Sequence, residues 1–200
     1  MVTDRKVPFP DGLYCKIITI LENGMKVFKD SVKIAGRSFE QTEGSAIMTE
    51  KAFQDYYGDE FSHCFGCGRL NEHGHRIRSY WDGDEALCVF TPEPYHTASP
   101  RYVYGGMIAS LIDCHSTGTA AAAAYRAENR EMDSQPPFRF VTASLHVDYL
   151  KPTPIGVPLE IRASVQEIKG RKIVVTSTLS ANGRVCAKGR VVAVQLPENW

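Results

Sequence analysis

Apolar and polar residues change period along this chain, and each change marks an element. From 141 to 149, Val141, Ala143, Leu145, Val147 and Tyr149 alternate with Thr142, Ser144, His146 and Asp148, the period of two of a half-buried strand. Three more strand-like runs follow, Leu159 to Ile168, Ile173 to Ala181 and Val185 to Leu196, with Lys169-Gly170-Arg171 and Asn182-Gly183 between them. Asn-Gly suits a type I′ hairpin turn. Upstream, Arg76 to Tyr80 and Ala86 to Phe90 flank Trp81-Asp82-Gly83-Asp84, another hairpin signal. A loop with Pro92, Pro94 and Pro100 then leads into Tyr104 to Tyr125, where small and apolar residues recur at helical spacing. The order is ββαββββ. One curved antiparallel sheet wrapped around a helix this apolar buries it, so the predicted class is α+β.

The chain ahead of residue 63 reads separately. Tyr14 to Phe28 has two apolar runs around Glu22-Asn23-Gly24, a hairpin, and Ser45 to Tyr57 has Ile47, Met48, Ala52, Phe53, Tyr56 and Tyr57 at the spacing of a short amphipathic helix stopped by Gly58. The expected organisation is an N-terminal extension over 1–62, hairpin plus short helix, and a main domain over 63–200.

The long helix carries the candidate chemistry. Gly105 and Gly106 let the backbone approach another group closely at a helix N-terminus, where the first amide N–H groups lack intrahelical partners and the dipole favours negative charge. Asp113 follows Gly106 by seven residues, nearly two turns, and Thr117 by four more, so all three share one stripe. Met107, Ile108, Leu111 and Ile112 cover the neighbouring faces. A carboxylate on so apolar a helix is either satisfied by a hydroxyl or a partner's charge, or kept for chemistry.

Lys plus Arg and Asp plus Glu are equal at 23 each, and this balance argues against nucleic acid or an anionic membrane as partner. Residues 1–13 carry Asp4, Arg5, Lys6 and two prolines rather than the apolar core of a secretory signal, and no stretch has the ~20 apolar residues of a membrane span. The six cysteines lack the dense spacing of a disulfide scaffold, so a reduced, cytoplasmic setting is expected. Cys64 and Cys67, with His63, His73 and His75 near them, raise a zinc reading. No second cysteine pair follows at usable spacing, so no metal and no cofactor is expected.

Tyr104-Gly105-Gly106 with Asp113 resembles the motif of the hotdog-fold acyl-CoA thioesterases of the phenylacetic-acid-degradation type, His-Gly-Gly followed seven residues later by Asp or Glu on a helix. The likeness runs from about Cys64 to Leu196; Val141 to Pro152, Gly170-Arg171 and Ala187-Lys188-Gly189-Arg190 are similar to the family's later strands. Its Cys-x-x-Cys-Gly stretch, also frequent in the family, supports a structural turn. The resemblance implies a hotdog fold and hydrolysis of acyl-CoA to free acid and CoA, with Gly106 supplying an oxyanion-hole N–H and Asp113 acting as base or nucleophile. Thr142 and Thr117 are implied as further site residues.

Tyr104 stands where the family has histidine, and Thr97-Ala98-Ser99 occupies the region of a frequent Asn or Gln, with His96 as a substitute. Lys151, Arg171, Lys172 and Arg190 are the candidate cations for the nucleotide of CoA. The resemblance further implies a homodimer or homotetramer in which Gly106 and Asp113 meet across a two-fold axis, with Thr142 of one subunit near Asp113 of the other. A non-catalytic acyl-CoA-binding or sensing module is the alternative, favoured by Tyr104. A hydratase of the same architecture would carry its Asp and His pair in a different motif, which the residues around Asp113 do not match.

Overall fold

The structure is a computed structural model and describes residues 5–8, 14–17 and 51–197. The chain divides into two compact units, Met1–Ile47 and Met48–Trp200. In the first, strand β1 (Arg5–Pro8) pairs antiparallel with β2 (Tyr14–Ile17), from Arg5 opposite Ile17 to Pro8 opposite Tyr14. Tyr14 therefore begins a strand as expected, but its partner lies upstream. Residues 18–28 of the expected hairpin lie outside the described residues.

In the second unit, β3 (Ser79–Asp82) and β4 (Glu85–Phe90) form the leading hairpin, turning at Gly83 with φ +66°. The proline loop contains two short paired strands, β5 (Thr97–Ser99) and β6 (Tyr102–Val103), which its composition did not signal. Helix α1 (Gly105–Ala127) follows, then β7 (Phe140–Tyr149), β8 (Leu159–Lys169), β9 (Lys172–Ala181) and β10 (Arg184–Gln195). The large sheet is ordered β3-β4-β8-β9-β10-β7, with every pair antiparallel. Asn182 and Gly183 both take positive φ, 50° and 71°, as a type I′ turn requires. One long helix against a large antiparallel sheet is the α+β hotdog architecture the sequence predicts.

The core lies between α1 and the sheet. Leu111 and Ile112 of the helix and Leu159, Ile161, Val175, Leu179 and Val191 of the strands are fully enclosed. Residues 118–123, Gly-Thr-Ala-Ala-Ala-Ala, are buried at every position, which is what a helix wrapped by a curved sheet needs. At Gly189 of β10 an added Cβ would stand 2.3 Å from Ile112 Cγ2, so the helix seats where the strand has no side chain. Among the described residues no helix is long and apolar enough to cross a membrane.

Residues 51–57 do not continue an α-helix. They form a single 3-10 turn, Phe53–Tyr56, with Asp55 N–H donating to the Ala52 carbonyl at 2.9 Å, while residues 45–50 lie outside the described residues. Tertiary contacts set this geometry. Phe53 packs 5.2 Å from Trp81, and buried Gln54 accepts from Ser79 N–H at 2.8 Å, so two consecutive side chains turn inward and the tighter turn accommodates both. Segment 51–62, grouped by sequence with the extension, belongs to the same compact unit as helix and sheet.

Candidate active site

Helix α1 starts at Gly105 because Tyr104 is extended (φ −63°, ψ 130°) and its carbonyl accepts from Met107 and Ile108 N–H at 3.1 and 3.3 Å. The amides of Gly105 and Gly106 have no intrahelical acceptor. The Tyr104 ring folds back over Gly106, so close that a Cβ there would lie 2.3 Å from the phenol oxygen. A side chain at 106 would displace this ring, which is exposed and free to swing aside. Tyr149, at the end of β7, donates its hydroxyl to the Gly105 carbonyl at 2.9 Å.

Two turns along, Asp113 is half-buried. Thr142 of β7 donates to its Oδ1 at 2.6 Å, and the Thr142 oxygen lies 2.8 Å from Thr117 Oγ1. Thr142 has one proton and gives it to the carboxylate, so Thr117 is the donor in the second bond. Burial raises the Asp113 carboxyl above its ordinary value, the Thr142 bond pulls it back, and the negative charge on Cys64 raises it further. The arrangement is a carboxylate oriented by a two-hydroxyl relay. Asp113, Thr117 and Thr142 are thus brought together within one chain, whereas the expectation had Thr142 reaching the carboxylate of another subunit.

Thr142 reaches Asp113 because β7 breaks its own alternation. Ser144 stands opposite Val192 and Thr142 opposite Ala193, leaving Ala143 without a partner. This bulge reverses which parity faces the helix. Val147 packs on the core beyond it and Phe140 before it, while Val141, expected on the inner face, is 40% exposed.

The remaining sequence candidates scatter. His96 Nδ1 accepts from Glu93 N–H at 2.9 Å, and its ring lies in an aromatic cluster, 5.2 Å from His75 and 4.4 Å from Tyr95; burial lowers the pKa of both histidines. Lys151 borders a cavity of about 270 Å³ between Tyr102, Gly105, Ile108, Tyr149 and Thr153, at the start of the helix. Thr153 Oγ1 is buried there without a hydrogen-bond partner among the described residues. Arg171 donates to the Gln195 carbonyl at 2.8 and 2.9 Å and Lys172 pairs with Glu167 at 3.1 Å, beside the Phe140 end of β7 rather than the Tyr149 end. Arg190 is exposed on β10 opposite His146.

One neighbour of Asp113 had no signal in the spacing. Cys114 projects toward the loop carrying Cys64 and Cys67, and the three sulfurs lie within 4.8 Å of one another. Cys64 Sγ and Cys114 Sγ lie within hydrogen-bond reach at 3.6 Å, and this contact lowers the Cys64 thiol and pushes Cys114 far up. His115, next along the helix, is a core residue. Its Nδ1 accepts from Ser79 Oγ at 2.9 Å and its Nε2 donates to the Ala86 carbonyl at 3.2 Å, and burial lowers it to about 4.

Comparison with known proteins places this geometry in context. The thioesterase superfamily profile matches residues 101–188. A thioesterase superfamily protein of Shewanella loihica PV-4 is 46% identical, and its crystal structure superposes with a TM-score of 0.53 over 70% of this chain and 98% of its own. The acyl-coenzyme A thioesterase THEM4 of Xenopus laevis is 36% identical over 87 residues, 44% of this chain and 33% of that protein. The matched stretch thus spans about a third of the curated relatives' length. The PaaI protein of the E. coli phenylacetic acid degradation operon, at 16% identity, shares the fold, with a TM-score of 0.51 over 62% of this chain and 81% of its own.

Proposed function

From the premise that this chain belongs to the thioesterase superfamily, we propose that it hydrolyses an acyl-CoA thioester to free acid and CoA, with Asp113 as general base. The observation that carries the reading is the half-buried Asp113 carboxylate, aimed by Thr142 at 2.6 Å and backed by Thr117. Water gives a proton to Asp113 as its oxygen attacks the carbonyl carbon. The tetrahedral oxyanion takes a hydrogen bond from the Gly106 N–H at the positive end of the helix. Collapse breaks the C–S bond, the leaving sulfur takes the proton held on Asp113, and the CoA thiol departs as the carboxylate is restored. In the direct variant of this scheme, an Asp113 oxygen attacks instead and water then opens the anhydride.

One chain does not complete this site. Seven residues of helix separate Gly106 from Asp113 by about 10 Å at 1.5 Å per residue, too far for both to act on one thioester group. The site takes its amide from one copy and its carboxylate from a second, which makes the chain a homodimer or a pair of dimers. The cavity beside Gly105, rimmed by Lys151, suits the apolar part of the substrate with a cation near its phosphates.

The Tyr104 ring lying over Gly106 favours a second reading, an acyl-CoA-binding module that does not turn over. Assay across an acyl-CoA panel separates the two, since binding without release of free CoA supports the module. For the enzyme, Asp113→Asn is expected to fold with an unchanged melting temperature and to lose at least about a hundredfold in kcat/KM. Wild-type turnover by that variant would remove Asp113 from the mechanism.

A further inference from the structure

The cysteines of the 62–68 turn and Cys114 are not used by the hydrolytic scheme. They come from two elements fifty residues apart, and three features of the turn converge on one point. First, Cys64 Sγ and Cys114 Sγ are 3.6 Å apart, and no pair of the three sulfurs exceeds 4.8 Å. A tetrahedral zinc ion with Zn–S bonds of about 2.3 Å holds its sulfurs about 3.8 Å apart, so little movement is needed. A disulfide would instead require about 2.05 Å and leave an odd thiol in the cluster.

Second, the turn is built to close on those sulfurs. Gly68 N–H donates to the Cys64 carbonyl at 2.8 Å. His75 N–H donates to the Phe65 carbonyl at 2.8 Å and Ile77 N–H to the Gly66 carbonyl at 3.1 Å, so backbone bonds hold the turn between its two cysteines. Third, both glycines are obligatory to the approach. A Cβ at Gly66 would lie 2.3 Å from Cys114 Sγ, and one at Gly68 would meet the Cys64 N and Ser62 O backbone atoms at 2.5 Å. The loop can therefore press its backbone against the helix only with these residues.

We propose that Cys64, Cys67 and Cys114 form a binding site for a thiophilic divalent cation, Zn²⁺ by its chemistry, which fastens the loop to helix α1 one residue from Asp113. The ligands are three thiolates; the fourth position faces solvent on the side of exposed Cys64 and takes water. Thiols still protonated release their protons as the metal–sulfur bonds form, and nothing is oxidised or reduced. The absence of a second cysteine pair in the sequence does not weigh against the site, because the helix supplies the third sulfur. Soft thiolate donors select zinc over magnesium or calcium, which take oxygen.

The test uses the full chain without a tag, reduced, stripped with chelator and titrated with Co²⁺ and then Zn²⁺. The expected result is about one Co²⁺ per chain, with the sulfur-to-metal charge-transfer and visible bands of tetrahedral thiolate ligation, displaced by Zn²⁺. Cys64→Ser, at an exposed position that leaves folding intact, is expected to bind at least about tenfold more weakly, and Cys114→Ala likewise. A reduced wild-type chain that folds but shows no charge-transfer band overturns the proposal. So does an affinity unchanged in Cys64→Ser, which decides the matter even where Cys114→Ala fails to fold. Because metal ligation rather than turnover is measured, failure here and failure of the thioesterase reading are distinguishable.

Discussion

Asp113 holds its proton more tightly than an ordinary carboxyl, chiefly because burial penalises the anion, while the Thr142 hydroxyl favours it. As base it must be ionised, so turnover is expected to rise with pH through an inflection above the usual carboxylate range. Thr142→Ala removes the one bond that lowers this value. We expect kcat to fall about tenfold or more, KM to change little, and the acid limb to move to higher pH. Thr117 acts only through Thr142, so Thr117→Ala should shift the limb less; equal pH profiles for both variants and wild type would exclude the relay. His115 makes a separate prediction. Its folded value of about 4 lies below its ordinary 6.5, so the unfolded chain takes up this proton first as pH falls. This contribution to stability is complete above about 6.5 and is lost toward about 4, on the order of 3 kcal/mol. Denaturation at several pH values compared with His115→Gln, which cannot charge, checks the slope.

At the scale of elements, the bulge in β7 and the bare backbone of β10 position the site. The bulge at Ala143 turns Thr142 inward, and the missing side chain at Gly189 admits Ile112, whose neighbour is Asp113. Gly189→Ala places a methyl where Ile112 already sits. It is expected to destabilise the fold by about 1–3 kcal/mol and to lower the melting temperature, with activity falling because the helix must lift from the strand that flanks β7. An unchanged melting temperature would mean that the helix does not seat at this strand.

Over the whole molecule, the two edges of the large sheet differ. At β3, Trp81 is packed between Phe53, at 5.2 Å, and the Arg126 guanidinium, at 3.7 Å. At β7, Val141, Leu145 and Tyr149 are 40, 39 and 55% exposed, an apolar edge of the kind that pairs with another chain. The expected solution state is a dimer or tetramer by light scattering. Complementation tests the shared site. Asp113→Asn chains mixed with Gly106→Val chains should regain up to about a quarter of wild-type activity, since half the dimers are mixed and each carries one intact site. No recovery from mixed dimers that have demonstrably formed would show that each chain works alone.

The element order was legible because its signals are local. The period of two in β7 to β10, the Asn182-Gly183 turn with both φ positive and the double glycine opening α1 each depend on a few neighbouring residues. The stripe from Gly106 through Asp113 to Thr117 is likewise a property of the helix alone. Distant pairings decided the rest. The bulge at Ala143 exists only in register with β10, so Thr142 faces the carboxylate despite an alternation that pointed it outward. Gln54 and Phe53 tighten their turn because Ser79 and Trp81 await them. Cys114 joins Cys64 and Cys67 because α1 runs beneath their loop, a proximity that no spacing along the chain encodes.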